Sequence, residues 1–533
     1  MRRVVALLVA VVLVGAWAVV PGRSAPAYGP TQTVVVAVDI SDAVSLDPQV
    51  AYEFGSTYAD HQMYSNLVTF PGGDLTHVVP AVTLSWQVSK DARTYTFHLR
   101  RGIKFSSGNT LTSADVVYMF ERVVNLPKDP ASWLITQMGI DEKNVDQVVT
   151  APDPYTVVVS LPKPFSPGAF LAIMANPVAG IPDSKTLQAH VTNNDWGSAW
   201  LNDHSAGSGP YMLVRWERQV TIELVANPNY NVAPAPPVKR IIFSNIIENT
   251  VQRDMLTRGD ADVAWNLSAS QRVALARDPR FAVIQTPDLA MTYLGMNVKT
   301  VPAFGKAEVR RAVKYAIDYN GIIRDLLSGG GIPLQGIIPK GLFGYDPSLP
   351  FTHDPAKAKQ LLAEAGYENG FTADLLASTG VAAGGISAGD LASKVKSDLA
   401  AVGIRANIRQ VASDELYKTY RAQTAQMVLA NWFVDYPDAD DFAKPFGDYT
   451  QKSLAWRLQY YNDPLAKLVQ QAAAMQNTPQ RAALYTKINE IEAQDGPFAI
   501  LYQPVLAIAV TKRLRNIAFD PVNFLDFSRL TKQ

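Results

Sequence analysis

Between Phe371 and Phe433 the chain alternates short apolar runs with helix-period segments: Phe371–Leu376, Leu391–Val402, Ile404–Val411, Asp414–Ala425 and Met427–Phe433. Strand–helix–strand units of this length connect through right-handed crossovers, so they predict a parallel or mixed α/β sheet with helices packed on its faces. Such sheets hold ligands beyond the carboxyl ends of their strands. The region before it carries helical signals of the same kind. Val309, Ala312, Val313, Ala316 and Ile317 recur at the spacing of one helix face. Asp354-Pro355 reads as an N-cap with proline in the first turn, and Gly366 as the stop.

The first half is of another kind. Thr33–Ile40 reads as a buried strand. Thr94–Leu99 alternates, turns at Arg101-Gly102 and resumes at Ile103–Phe105, which predicts a hairpin or meander. Tyr155–Leu161 is a further strand, and Tyr211–Trp216 pairs with Val220–Val225 around a polar turn. Thr112-Ser113-Ala114-Asp115 is a capping box that opens a helix with Val116, Val117, Phe120, Val123 and Val124 on one face. Asn227–Pro237 is a surface connection. At 533 residues the chain is longer than a single domain needs.

Arg2 and Arg3 precede the apolar run Val4–Val20, and Ala25 and Ala27 follow as a small-residue exit. This is the pattern of a cleaved secretory signal over residues 1–27, although an uncleaved membrane anchor has the same start. The expected location is therefore outside the cytoplasm, in a periplasm. Without its three arginines (Arg2, Arg3, Arg23), a chain of 48 basic and 48 acidic side chains becomes net acidic by three. That balance argues against a nucleic-acid partner. The absence of cysteine excludes disulfides, thiolate metal sites, a cysteine nucleophile and a lipid anchor on an N-terminal cysteine.

Catalytic and metal-binding patterns fail on inspection. Gly385-Ile386-Ser387-Ala388-Gly389 matches G-x-S-x-G, but that elbow needs a histidine later in the chain. His61, His77, His98, His190, His204 and His353 all precede Ser387, and the Ala/Gly-rich Ser378–Gly389 reads as a flexible loop. His190, Asp195 and His204 are too loosely spaced to define a zinc site. Asp438-Ala439-Asp440-Asp441 lacks the glycine and closing glutamate of a calcium loop. Gly329-Gly330-Gly331 precedes Ile-Pro, not the Lys-Ser/Thr of a phosphate loop. No catalytic residue, metal or cofactor is expected. Asp435 stands apart. An aspartate after a strand is commonly a cap or a solvated loop acid, but this one follows an apolar strand, beside Trp432, Phe433 and Tyr436. A carboxylate held against aromatic walls suits an ammonium group, while the aromatic run itself also fits ordinary core.

Several ordered blocks then carry a resemblance. They are Val79–Trp86, Lys90–Phe105, Leu111–Val117, Gly207–Tyr211, Asn227–Tyr230, Gly259–Val263, Met296-Asn297, Val309–Ala312 through Asp318, and Asp354–Ala358 with Leu361–Gly366. Together they span nearly the whole mature chain. The sequence resembles the extracellular solute-binding proteins of family 5, the peptide receptors of ABC importers. The resemblance implies an α/β, two-lobed periplasmic-binding-protein fold of type II with an extra strand-rich subdomain and a ligand cleft between the lobes. It implies lobe I over 28–76, 196–290 and 501–533, an inserted subdomain over 77–195, and lobe II over 291–500. It implies a monomeric, non-enzymatic receptor that captures a peptide, an oligopeptide above all, and hands it to membrane permease subunits. In this family an aspartate shortly after a tryptophan takes the ligand's α-amino group, and Trp432-x-x-Asp435 matches. Asn431, Trp432 and Phe433 would lend backbone groups to an extended ligand. Tyr52, Glu53 and Phe54 fall on the lobe I side, where an ordinary surface loop would look the same. One departure stands out. The arginine that holds a dipeptide's carboxylate in this family is absent from Ser387-Ala388-Gly389-Asp390. Longer or modified peptides, or a non-peptide solute such as an oligosaccharide, opine or metal chelate, stay open, and a secreted hydrolase is the reading from another class.

Overall fold

The computed structural model describes residues 28–126, 130–522 and 524–533. Residues 1–27, which carry the signal or anchor expectation, lie outside them. β1 (Thr33–Val38) buries Val34, Val36 and Val38 completely, and the short helix α1 (Phe54–Met63) packs beside it with Tyr58, Ala59 and Met63 inward.

The next segment makes its own sheet. β2 (Thr83–Val88), β3 (Thr94–Leu99), then beyond helix α2 (Ser113–Asn125) β4 (Val149–Asp153) and β5 (Thr156–Ser160), pair antiparallel in the order β2-β3-β5-β4. In α2, Asp115 reaches back to the Thr112 N–H at 2.7 Å, as the capping box requires. The hairpin expected after Arg101-Gly102 does not form. β3 takes β2 and β5 as partners instead. Ile103 and Phe105 are both drawn into the core of this segment, so the chain closes on itself through a single Lys104–Thr110 bridge.

Among the described residues one mixed sheet of 12 strands takes in β1, the two-residue strands Val263–Ala264 and Gly331–Ile332, and nine longer strands. In chain order these are β6 (Tyr211–Glu217), β7 (Thr221–Ala226), β8 (Arg240–Asn245), β9 (Phe281–Pro287) and β10 (Ala290–Met296). After helices α3 (Ala307–Ala316) and α4 (Pro355–Glu364) come β11 (Phe371–Ser378), α5 (Ala388–Ala400), β12 (Ile404–Val411), α6 (Ser413–Arg421) and β13 (Met427–Phe433). Helices α7 (Asp440–Gly447) and α8 (Pro479–Asp495) precede the long strand β14 (Phe498–Thr511). β11 and β12 are parallel over their full length, and β13 joins β11 in parallel only at Leu375–Met427 and Leu376–Val428. β10 and β14 run antiparallel, which makes the sheet mixed. The first half of β14 pairs with β10 (Gly295 opposite Phe498) and its second half with β9 (Pro287 opposite Val505).

Two sequence expectations shift in detail. α6 ends at Arg421 and not at Ala425, because Gln423 takes a left-handed backbone (φ 62°) that a helix cannot continue through. The Ala/Gly-rich stretch is no loose loop: Val381–Ala382 pairs with Ile386–Ser387, and Ser387 caps α5 by accepting the Asp390 N–H at 3.2 Å. The serine of the G-x-S-x-G match is thus a helix cap.

The separate sheet is tied to the N-terminal segment by a fully buried ion pair. Arg122 on α2 donates from Nη2 and Nη1 to the two Asp47 carboxylate oxygens at 2.7 and 3.0 Å, and from Nε to the Trp196 carbonyl. Removing one member strands the other charge in a dry interior. Arg122→Leu is expected to lower stability by roughly 3–5 kcal/mol, read from denaturant unfolding.

Candidate functional site

β13 leads directly into the loop that carries Asp435, and that loop is braced from below. The Asp435 N–H donates to Asp441 Oδ2 at 2.9 Å, and its carbonyl accepts Asn176 Nδ2 at 3.3 Å. Asp438 takes Arg481 of α8 in a bidentate pair at 2.6 and 2.9 Å, both side chains buried, and also accepts the Asp440 N–H. Asp440 receives Tyr436 Oη and pairs with Lys444. The acids that looked faintly like a calcium loop are therefore engaged by internal partners. Among the described residues no group of three or more histidine and acidic side chains is placed to hold a metal.

Among the described residues Asp435 itself has no cationic partner. The Tyr52 hydroxyl, 383 residues away in sequence, donates to its Oδ1. Burial pushes the carboxyl above its ordinary range, and the Tyr52 hydrogen bond pulls it partly back. The same burial, with the Asp435 charge beside it, drives the Tyr52 hydroxyl upward, so it stays protonated and keeps donating. Burial also raises Asp441, and the nearby Asp435 adds to the effect.

Tyr52, Phe54, Phe433, Val434 and Asp435 line a cavity of about 790 Å³. The cavity continues past Asn176 and Pro177, the proline-rich stretch around Pro234 and Pro237, and the C-terminal segment from Ala518 to Arg529. Its size lies in the upper range of small-ligand pockets. Four of the seven expected site residues thus meet at one wall. The other three do not. Glu53 turns back to the Tyr52 N–H at 3.3 Å. Trp432 packs edge-on to Phe446 in the helical core, its indole N–H buried without a partner among the described residues. Asn431 Oδ1 accepts Thr292 Oγ1 and the Ala383 N–H at 2.8 and 3.0 Å, beside a separate cavity of only about 60 Å³ near the start of α5. Side chains alternate along a strand, so Phe433 (49% exposed) faces the cleft where Trp432 faces the core.

The backbone of this strand has an open edge. Its ladder with β10 runs to Phe433, whereas its ladder with β11 stops at Val428, so the other edge beyond that point has no strand partner among the described residues. The contribution of Asn176 and of the C-terminal segment carried no signal in sequence, since neither lies near a motif and both reach the cavity only through the fold.

The sequence signature described as "Bacterial extracellular solute-binding proteins, family 5 Middle" matches residues 77–453. The chain is 29% identical over 487 residues to the "Probable D,D-dipeptide-binding periplasmic protein DdpA" of Escherichia coli (strain K12), covering 90% of each chain. It is 28% identical over 494 residues to "Di/tripeptide-binding protein 2" of Pseudomonas aeruginosa (strain UCBPP-PA14), covering 90% of this chain and 91% of the other. In solved structures, HbpA2 from Haemophilus parasuis superposes with a TM-score of 0.82 at 24% identity, over 94% of this chain and 100% of that one. The mixed sheet and two-lobed α/β architecture are shared across these folds. With the signature running through most of its length, the chain belongs to the bacterial extracellular solute-binding proteins of family 5.

Proposed function

We propose that this protein is the solute receptor of an ABC importer, capturing a peptide by its ammonium end between two lobes and passing it to membrane permease subunits. The observation that supports this most directly is Asp435: a desolvated carboxylate without a cationic partner among the described residues, on the wall of a large cavity, with Tyr52 holding one of its oxygens. An ammonium group completes such a site, and the names of the peptide-binding relatives point the same way. The open edge of β13 suits main-chain pairing with an extended ligand. Lobe I takes 28–76, 196–290 and 501–533, lobe II takes 291–500, and 77–195 is the inserted subdomain. Ligand touching both sides favours the closed form by its differential affinity and no more. The receptor works as a monomer without covalent chemistry. Residues 1–27 act as the export signal, with the mature protein in a periplasm.

Asp435→Asn is expected to weaken an amine-bearing peptide by roughly 2–5 kcal/mol in calorimetry; N-terminal acetylation of the peptide should do the same. Unchanged affinity in both would remove the ammonium anchor. Because the Asp435 pKa is raised on folding, its contribution to stability is greatest at low pH and is lost as pH rises through the raised value. The unliganded Asp435→Asn variant should therefore melt no lower than the parent at pH 7.5, which separates lost binding from misfolding.

Binding an ammonium favours the ionised carboxylate, so affinity should fall on acidification, starting above the pH of about 4 at which an ordinary aspartate titrates. Tyr52→Phe removes the hydrogen bond that lowers this pKa and should move the acid limb of binding upward, measured as Kd against pH. Mass spectrometry of ligand carried through purification, together with a ligand-dependent rise in melting temperature and no turnover, tests the receptor reading as a whole. Ligand at 100 times Kd adds about 2.7 kcal/mol.

A further inference from the structure

With the lobes bounded as proposed above, the inserted subdomain touches both of them, in two different ways. Its ties to the N-terminal segment of lobe I are polar and buried. Besides the Arg122–Asp47 pair, the fully buried Gln49 donates from Nε2 to the Val178 and Gly180 carbonyls, both at 2.9 Å. Asn66 Nδ2 donates to the Met174 and Asn176 carbonyls at 3.0 and 2.7 Å. Parting these groups would strand charge and amide in a dry interior, so the subdomain moves as part of lobe I.

The contact with lobe II is a packed seam. Tyr436, one residue past Asp435, is 1% exposed and belongs to the apolar core of the subdomain, with Phe165, Ala169 and Phe170. Every other buried member of that core comes from residues 67–181. Lys444 on α7 places its ammonium 4.7 Å from the centre of the Phe165 ring, within the range of a cation–π contact. Gly168 lies in the helix Pro167–Met174, close against the buried Asp438–Arg481 pair. A Cβ on it would stand 2.5 Å from Asp438 Oδ2 and 3.1 Å from Arg481 Nη1. Asn176 Nδ2 donates across the seam to the Asp435 carbonyl at 3.3 Å, and the Tyr52 hydroxyl crosses to Asp435 on the cavity side.

The lobe II face of this seam finds its own partners. Tyr436 Oη donates to Asp440 at 3.2 Å, Lys444 pairs with Asp440, and Asp438 pairs with Arg481. Separating the two faces therefore breaks no ion pair among the described residues. It uncovers an aromatic ring and gives two hydrogen bonds back to water. Burial of apolar surface favours the docked state, and nothing in the seam makes undocking prohibitive.

We propose that this seam, Tyr436, Asp438 and Lys444 of lobe II against Phe165 and Gly168 of the inserted subdomain, is a latch that holds the cleft closed without solute. In the latched form Tyr52 serves the Asp435 carboxylate. Solute enters through the open minority, and part of the free energy of closure comes from the chain itself. The inference goes beyond the peptide reading, because it needs two lobes that part and no particular solute.

The chain has no cysteine, so a Lys143→Cys/Lys467→Cys pair supplies unique dye sites at two exposed positions, one on the subdomain and one on lobe II. Single-molecule energy transfer then reads the distance between them. The labelled protein is stripped of carried solute by unfolding in guanidinium and refolding, and mass spectrometry confirms that it is empty. With the seam intact, the stripped protein should hold the open form to a minority of about 10% or less, and Gly168→Leu should make it the majority. Far-UV circular dichroism checks that the variant is folded. If leucine prevents folding, Gly168→Ala should move the balance the same way by a smaller amount. An open majority with the seam intact, or a distribution that neither Gly168 variant moves, overturns the latch. A protein that is compact as purified and open once stripped is closed by its solute alone, which overturns the latch and leaves the receptor reading standing. If no solute is ever carried or bound, the receptor reading falls, and the distances still decide the latch.

Discussion

The hydrogen-bond pairing of β14 is the constraint from which the architecture follows. A buried strand must place every backbone N–H and C=O. β14 does so by giving its first residues to β10 and its later ones to β9, within one run of 14 residues. The change of partner comes at Gln503 and Pro504. Proline brings no N–H to the ladder, and the Gln503 side chain binds the Asp288 and Lys340 carbonyls at 2.8 and 2.9 Å. The strands on either side of this point therefore share one backbone while packing separate cores, one against α3, α4 and α5 and another around β1 and α1. A cavity between them needs no additional scaffold.

Charge balance distinguishes the cleft from its supports. Asp438, Asp440 and Asp441 are all buried, and each is answered by a guanidinium, an ammonium, a hydroxyl or a backbone N–H. Burying charge in this way is costly, and the gain is a loop held in a single geometry. Asp435, three residues before Asp438, is held by that framework, but among the described residues its carboxylate receives only a hydroxyl. An acid left short of a cation inside a rigid frame is poorly placed for stability and well placed for a ligand.

Much of this was legible before any fold was known. The strand–helix alternation from Phe371 to Phe433 appears with its order intact and two of its strands, Ile404–Val411 and Met427–Phe433, at their expected bounds. Local period and caps carry that information, because neighbouring residues decide it. The misplaced hairpin after Arg101-Gly102 shows where local patterning stops. Ile103 and Phe105 alternate like a strand, but the core they enter is built from β2, β5 and α2, and that competition is invisible in a short window.

The sequence by itself determined the order and type of most elements, the family, and the single acid worth singling out, since periodicity, capping and ordered motif blocks are properties of nearby residues. Only the tertiary structure decided what that acid faces. Alternation says that Trp432 and Phe433 point to opposite sides, but the helices packed on the sheet determine which side is core. The meeting of Tyr52 with Asp435 across 383 residues, and the entry of Arg529 into the same cavity, depend on how distant segments are brought together. Contacts of that separation depend on chain topology and packing, and no local pattern records them.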